Sequence, residues 1–170
     1  MITDYRAGSV FILNYEQFGF EPPEMVKRRM VVVISSKGLK RDPELVTVVP
    51  LSTTPPMHAN TKHNVPLEKE YYWGTKNGKP LWAKCDMVMT TSTRRLEHVN
   101  AFSRDGQNQL AVPELARNDL RRVRLGVANA IDLDALIVPE AKQELTNYLK
   151  RFRAKFTNFR KPKPRRKLAS

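Results

Sequence analysis

The sequence predicts a mainly β chain closed by two helices, with its strands gathered into a small barrel. Three observations carry that reading. Short β-branched runs separated by turn residues occupy about 90 residues, and no helical repeat lies between them. The apolar spacing then changes, after Pro113, to steps of three and four. A second stripe with the same spacing follows near Pro139.

Each element has a local reason. Residues 8–16 form a β-rich run opened by Gly8, and they predict the first strand. Gly19, Pro22 and Pro23 then break regular structure, so 17–29 is a loop ending in the adjacent cations Lys27, Arg28 and Arg29. Residues 30–36 and 45–51 are short continuous apolar runs, each predicting a strand buried on both faces. Residues 52–56 leave the second of these as a hydroxyl-rich turn. Residues 64–70 alternate weakly, and Pro66 restricts them to an edge strand. Asn77-Gly78 is the preferred pair for a two-residue hairpin turn. Residues 81–89 predict a further strand, and 90–95 a turn leading into a short helical piece. Leu120, Val123, Val127 and Ile131 make the stripe of the first helix, with Pro113 near its start. Leu145, Leu149, Phe152 and Phe156 make the stripe of the second, with Lys150, Arg151, Arg153 and Lys155 largely on the other face. The organisation expected is a barrel domain with its terminal helix over 1–131, an added amphipathic helix over 132–159, and a basic disordered tail over 160–170.

The chain has 170 residues, 41% of them hydrophobic, which suits one globular domain with an appendage. Its apolar runs are far shorter than the roughly 18 residues a membrane span requires. The N-terminus lacks the basic-then-apolar pattern of a signal peptide. A single cysteine, Cys85, allows no internal disulfide and no cysteine ligand set. The expectation is a cytoplasmic protein with no membrane association, no metal and no cofactor. Its net charge of +13 is uneven: residues 151–170 hold 9 basic and no acidic residues. Such an end attracts polyanions, nucleic acid foremost.

Arg28 and Arg29 stand just before one buried strand, and Ser52 and Thr53 at the end of the next. If these strands pair antiparallel, the start of one lies beside the end of the other. The guanidinium of Arg29 and the hydroxyl of Ser52 would then share one rim of the sheet. A planar fork of donors beside a hydroxyl suits a phosphate. On pattern alone, the same residues serve equally well as a solvated strand end and an ordinary turn. His58 and His63 follow in the next loop as imidazoles near the same rim, and Trp73, with Tyr71, Tyr72 and Trp82, offers faces for stacking or for packing. Asp86 reads as structural.

Three segments are recognisable in order. Val26-Lys27-Arg28-Arg29-Met30-Val31-Val32-Val33-Ile34-Ser35, Val48-Val49-Pro50-Leu51-Ser52-Thr53-Thr54 and Trp82-Ala83-Lys84-Cys85-Asp86-Met87-Val88 resemble the successive motifs of the MazF/PemK (Kid-like) toxins. The resemblance covers about residues 8–131. It implies an SH3-like barrel of the plasmid-maintenance-toxin kind, a homodimer, and a cognate antitoxin partner whose disordered segment covers the RNA groove. It also implies metal-independent endoribonuclease cleavage of single-stranded RNA, leaving a 2′,3′-cyclic phosphate and a 5′-hydroxyl. Arg29 and Ser52 stand where the family has its catalytic arginine and threonine, and Glu24 lies in the groove loop as a candidate proton acceptor. Lys27, Arg28, Thr53, Thr54, His58, His63 and Trp73 are the expected RNA contacts. Met30 replaces the usual proline, and Ser52 the usual threonine. Two other classes fit the same barrel: a noncatalytic nucleic-acid-binding module and a gyrase-poison-like toxin.

Overall fold

The computed structural model describes residues 2, 4–22, 24–35, 42, 44–56, 62–68, 71, 80–102, 108–133 and 139–156. His58, Trp73 and the Asn77-Gly78 turn lie outside them. The strands are β1 (Val10–Leu13), β2 (Arg29–Val33), β3 (Leu45–Ser52), β4 (Asn64–Pro66), β5 (Trp82–Lys84), β6 (Met89–Ser92), β7 (Leu96–Glu97), β8 (Val99–Phe102) and β9 (Asn108–Ala111), and the helices are α1 (Arg117–Ala130) and α2 (Pro139–Phe156). The first seven strands form one sheet in the order β4-β5-β3-β2-β1-β7, with β6 also pairing β3; β8 and β9 make a separate ribbon. Every pairing is antiparallel. The mainly β class with C-terminal helices is the expected one, and the sheet is not closed.

The central strands are buried on both faces, as their β-branched runs require. Val10, Val32, Val49, Leu51, Val65, Ala83 and Val123 fill one core cluster. Phe11, Leu13, Val31, Val33, Val46, Val48 and Leu96 fill a second. Neighbours in β2 alternate between the two clusters, so one short strand serves both. Each fully buried valine or leucine contributes about 1.5–3 kcal/mol relative to exposure. Pro66 sits in β4, which among the described strands pairs only β5, the edge position that a residue without an N–H needs.

Several boundaries differ from the sequence reading; the strand expected over 64–70, for one, ends at Pro66. The first strand ends at Leu13, because the Asn14 side chain accepts a hydrogen bond from the Glu16 N–H (3.1 Å) and starts a 3-10 turn over Tyr15–Phe18. The strand expected over 81–89 breaks into β5, a 3-10 turn over Cys85–Met87, and β6. The cause is packing: the Cys85 thiol is buried and donates to the Val123 carbonyl of α1 (3.5 Å). Residues 90–92, read as entering a turn, instead pair with β3. The first helix begins at Arg117 rather than near Pro113, because residues 113–115 are tied to the sheet. The Pro113 carbonyl accepts from Val10 (2.8 Å), and Leu115 donates to Gly8 (2.9 Å). The β8–β9 ribbon was not anticipated.

Gly126 is where α1 meets the sheet. A Cβ there would lie 2.6 Å from Val65 Cγ2 and 2.7 Å from Cys85 Sγ. Neither neighbour is free to move, since both are fully buried. Gly126→Ala is expected to destabilise the fold by about 1–3 kcal/mol through overpacking. A thermal melt equal to that of the unsubstituted chain would refute this account of the contact.

Helix α2 docks through polar and aromatic contacts. The Tyr148 hydroxyl donates to the Pro66 carbonyl (2.7 Å), and the Arg122 guanidinium lies 3.9 Å over the Tyr148 ring. The rings of Trp82 and Phe152 meet edge to face at 5.6 Å. Glu144 pairs with Arg121 of α1 (3.0 Å). Burial raises the pKa of the Tyr148 hydroxyl well above its ordinary 10.0. Burial, followed by the hydrogen bond to Asp119, does the same for Tyr71. In the window above pH 10 the unfolded state therefore loses these protons first, and the folded state is disfavoured. Stability should be level below about pH 10 and fall above it, read as the urea midpoint at about pH 8 against about pH 11. Tyr148→Phe should flatten that fall.

Among the described residues, no helix is long and apolar enough to cross a membrane.

Candidate active site

The strand register decides the site. Val31 of β2 pairs with Pro50 of β3. Beyond that pair β2 runs back to its start at Arg29 and β3 runs on to its end at Ser52, so the two residues lie at the same end of the antiparallel pair. Ser52 pairs with Trp82 of β5, and Trp82 pairs with Pro66 of β4. One lateral row, Pro66–Trp82–Ser52, thus crosses three strands on one face.

Arg29 and Ser52 both line an open cleft of about 490 Å3, together with Arg28, Met30, Thr53 and His98 over a floor of Ile12, Leu51 and Val99. The Arg29 side chain is half-buried, and its Nε lies buried with no acceptor. A guanidinium N–H without a partner at a cleft wall is a costly arrangement that an incoming anion would relieve. The Ser52 side chain is buried, 6% exposed, and its Oγ accepts from the Thr54 N–H (3.1 Å). That bond orients the hydroxyl oxygen and leaves its proton available to donate.

The other expected contacts are distributed unevenly. Arg28 lines the cleft, and its guanidinium pairs with Glu97. Thr53 lines it too, while Thr54 and Lys27 are exposed outside the lining. Glu24 is exposed in the loop before β2, where its carboxylate accepts from the Glu21 N–H (3.2 Å). It is not among the residues lining the cleft. His63 sits at the opposite edge of the sheet, with Nε2 3.4 Å from Asp86 Oδ2. The structure therefore brings together Arg28, Arg29, Ser52 and Thr53, and leaves Glu24, Lys27, Thr54 and His63 outside.

The sequence reading missed three residues here. His98 lines the cleft, its ring edge-on to Phe11 at 6.0 Å. Its only sequence signal was an imidazole at a strand end. Lys84 pairs across with Asn64, on the same face as the Ser52 row. Burial lowers the Lys84 pKa, Asp86 opposes that, and the nearby Arg29 charge adds to it. Asn64 Oδ1 is buried without a donor. This end of the sheet gathers cationic and donor groups around the Arg29–Ser52 pair.

What the arrangement can do is bind an anion and stabilise charge that develops on it. A guanidinium fork and a hydroxyl on one rigid face suit a phosphoryl group.

Residues 6–126 match the family model described as PemK-like, MazF-like toxin of type II toxin-antitoxin system. The protein YifN of Escherichia coli (strain K12) is 34% identical over 119 residues, covering 66% of this chain and 74% of that protein. An uncharacterized protein of Haemophilus influenzae (strain ATCC 51907 / DSM 11121 / KW20 / Rd) is 24% identical over 144 residues, 78% of this chain and 93% of its own. Among solved structures, an endoribonuclease in complex with its cognate antitoxin from a mycobacterial species superposes with a TM-score of 0.50 at 15% identity. The match covers 76% of this chain and 97% of that one.

Proposed function

The chain belongs to the PemK-like, MazF-like toxin family of type II toxin–antitoxin systems, and from that premise we propose that it is an endoribonuclease cutting single-stranded RNA without a metal. One observation supports the reading: Arg29, at the start of β2, and Ser52, at the end of the antiparallel β3, line the same open cleft.

RNA supplies its own nucleophile, the 2′-hydroxyl. Attack of that oxygen on the adjacent phosphorus forms the 2′,3′-cyclic phosphate. The bond to the 5′ oxygen breaks, and negative charge builds on the phosphoryl oxygens between the two events. The Arg29 guanidinium, which keeps its proton, stabilises that charge electrostatically. The Ser52 hydroxyl donates to the phosphate or to the leaving oxygen. The 2′-hydroxyl proton leaves to a base, and the 5′ oxygen gains a proton to finish as a hydroxyl. Glu24 is the proposed base. Its present hydrogen bond to Glu21 must give way for it to reach the cleft, so Glu24→Gln tests that assignment separately. Lys27, Arg28, Thr53, Thr54, His58, His63 and Trp73 are the proposed contacts along the strand. Messenger RNA as substrate places the toxin in the cytoplasm, as a homodimer held inactive by a cognate antitoxin.

The test is a cleavage assay on a long single-stranded transcript with EDTA present, followed by mapping of the new 5′ ends. Discrete cuts with 5′-hydroxyl and cyclic-phosphate ends are expected. A folded protein that shifts the RNA in a gel yet cuts nothing would turn the reading to a binding module on the same fold.

A further inference from the structure

Helix α2 lies beyond the stretch matched by the family model, which ends at residue 126. Its contacts show where it travels. Glu144 touches Arg121 of α1, Tyr148 touches Pro66 of β4, and Phe152 touches Trp82 of β5. Each turn of the helix thus advances one element. Four residues of helix rise about 6 Å, close to the roughly 4.8 Å between neighbouring strands. Pro66 and Trp82 are consecutive members of the row that continues to Ser52, which lines the cleft together with Arg29. The helix therefore passes Pro66 and then Trp82, the pairing partner of Ser52.

The charge along α2 is sorted to match. Its first part carries Glu140, Lys142 and Glu144, and residues 150–156 carry Lys150, Arg151, Arg153 and Lys155 with no acidic residue. Lys150 and Arg151 are exposed. We propose that this basic end of α2 is a second bank of phosphate contacts, binding the backbone of the same RNA strand whose scissile phosphate sits at Arg29 and Ser52. The proposal rests on the RNA reading above for its substrate. The electrostatics favour a polyanion over a self-made cap. A cation-rich helix end on the same sheet as Arg29 and Lys84 is repelled by them, and an anion bound between them relieves that repulsion. An inhibitory cap would need acidic residues here, and the segment has none.

The test uses the full chain with its 160–170 tail intact. Lys150, Arg151, Arg153 and Lys155 are all changed to Gln, and Phe152→Ala is made separately to loosen the helix from Trp82. Binding to a 2′-O-methylated single-stranded RNA is measured across salt concentrations, with a thermal melt to verify folding. The charge variant should melt like the unsubstituted chain and bind more weakly at low salt. Its salt slope should be shallower by about 0.7 for each phosphate no longer neutralised, so about 2–3 units for four cations. Phe152→Ala should also weaken binding. An unchanged slope and affinity would overturn the proposal, as would faster RNA cleavage by either variant, the mark of a cap. Unchanged RNA binding with loss of an acidic antitoxin would likewise overturn it. The methylated RNA cannot be cut, so failure of the ribonuclease reading is visible separately: the unsubstituted chain would bind it with a salt slope and cut no ordinary transcript.

Discussion

Arg29→Ala is expected to lower the RNA cleavage rate by about 100- to 1,000-fold while the fold survives. That range is the typical loss when one preorganised charge-stabilising donor is removed from a site. The fold should tolerate the change because Arg29 begins its strand, its side chain is only half-buried, and its Nε bonds to nothing in the protein. Losing such a group removes an unsatisfied donor instead of creating one. Arg29→Lys keeps the charge and loses the fork, so it should recover part of the rate only. Ser52→Ala should cost less than Arg29→Ala, since a single neutral donor is removed. Multiple-turnover rates on one defined RNA decide this, with melting curves alongside. A folded Arg29→Ala protein that cuts as fast as the unsubstituted chain would sink the ribonuclease reading at this site.

Asp119→Ala should destabilise the protein by about 3–5 kcal/mol, the usual cost of stripping one partner from a buried ion pair. Asp119 is 1% exposed and satisfies three groups at once. Its Oδ1 accepts from the Arg122 guanidinium (2.6 Å) and from the Glu68 N–H (3.1 Å), and its Oδ2 accepts from the Tyr71 hydroxyl (2.6 Å). The Tyr71 oxygen in turn accepts from the Ala116 N–H at the start of α1 (2.8 Å). Alanine would leave a nearly buried guanidinium with only the exposed Glu68 carboxylate as an ionic partner (2.8 Å). Because Arg122 also supports Tyr148, the change should loosen α2 as well as α1. Urea unfolding followed by tyrosine fluorescence and by circular dichroism would measure it. A cost below about 1 kcal/mol would mean that the network is not held as drawn.

How far the site was legible follows from what each signal measures. Val31, Val32 and Val33 announced a doubly buried strand because burial on both faces removes the need for alternation. The juxtaposition of Arg29 with Ser52 was legible as soon as the two strands were taken as antiparallel neighbours, since direction alone then sets which ends meet. Cys85 was not legible as a strand breaker, because its partner, Val123, is 38 residues away. Asp119 and Arg122 read as an ordinary charged pair on a helix. Nothing local distinguishes a charge facing water from one facing Tyr71 and Tyr148. His98 and Lys84 were invisible as site residues for the same reason: their strands reach the cleft only through pairing partners distant in sequence.

Composition, periodicity and turn chemistry by themselves determined the mainly β class, the two C-terminal helices, the buried central strands and the concentration of positive charge beyond residue 150. These properties depend on spacing along the chain, where neighbours are covalently fixed. Only the tertiary structure decided that the sheet stays open, that α1 seats Gly126 against Cys85, and that α2 docks against Pro66 and Trp82. Those outcomes depend on which side chains, tens of residues apart, fill the same space, and that is settled by packing and by the pairing of buried polar groups.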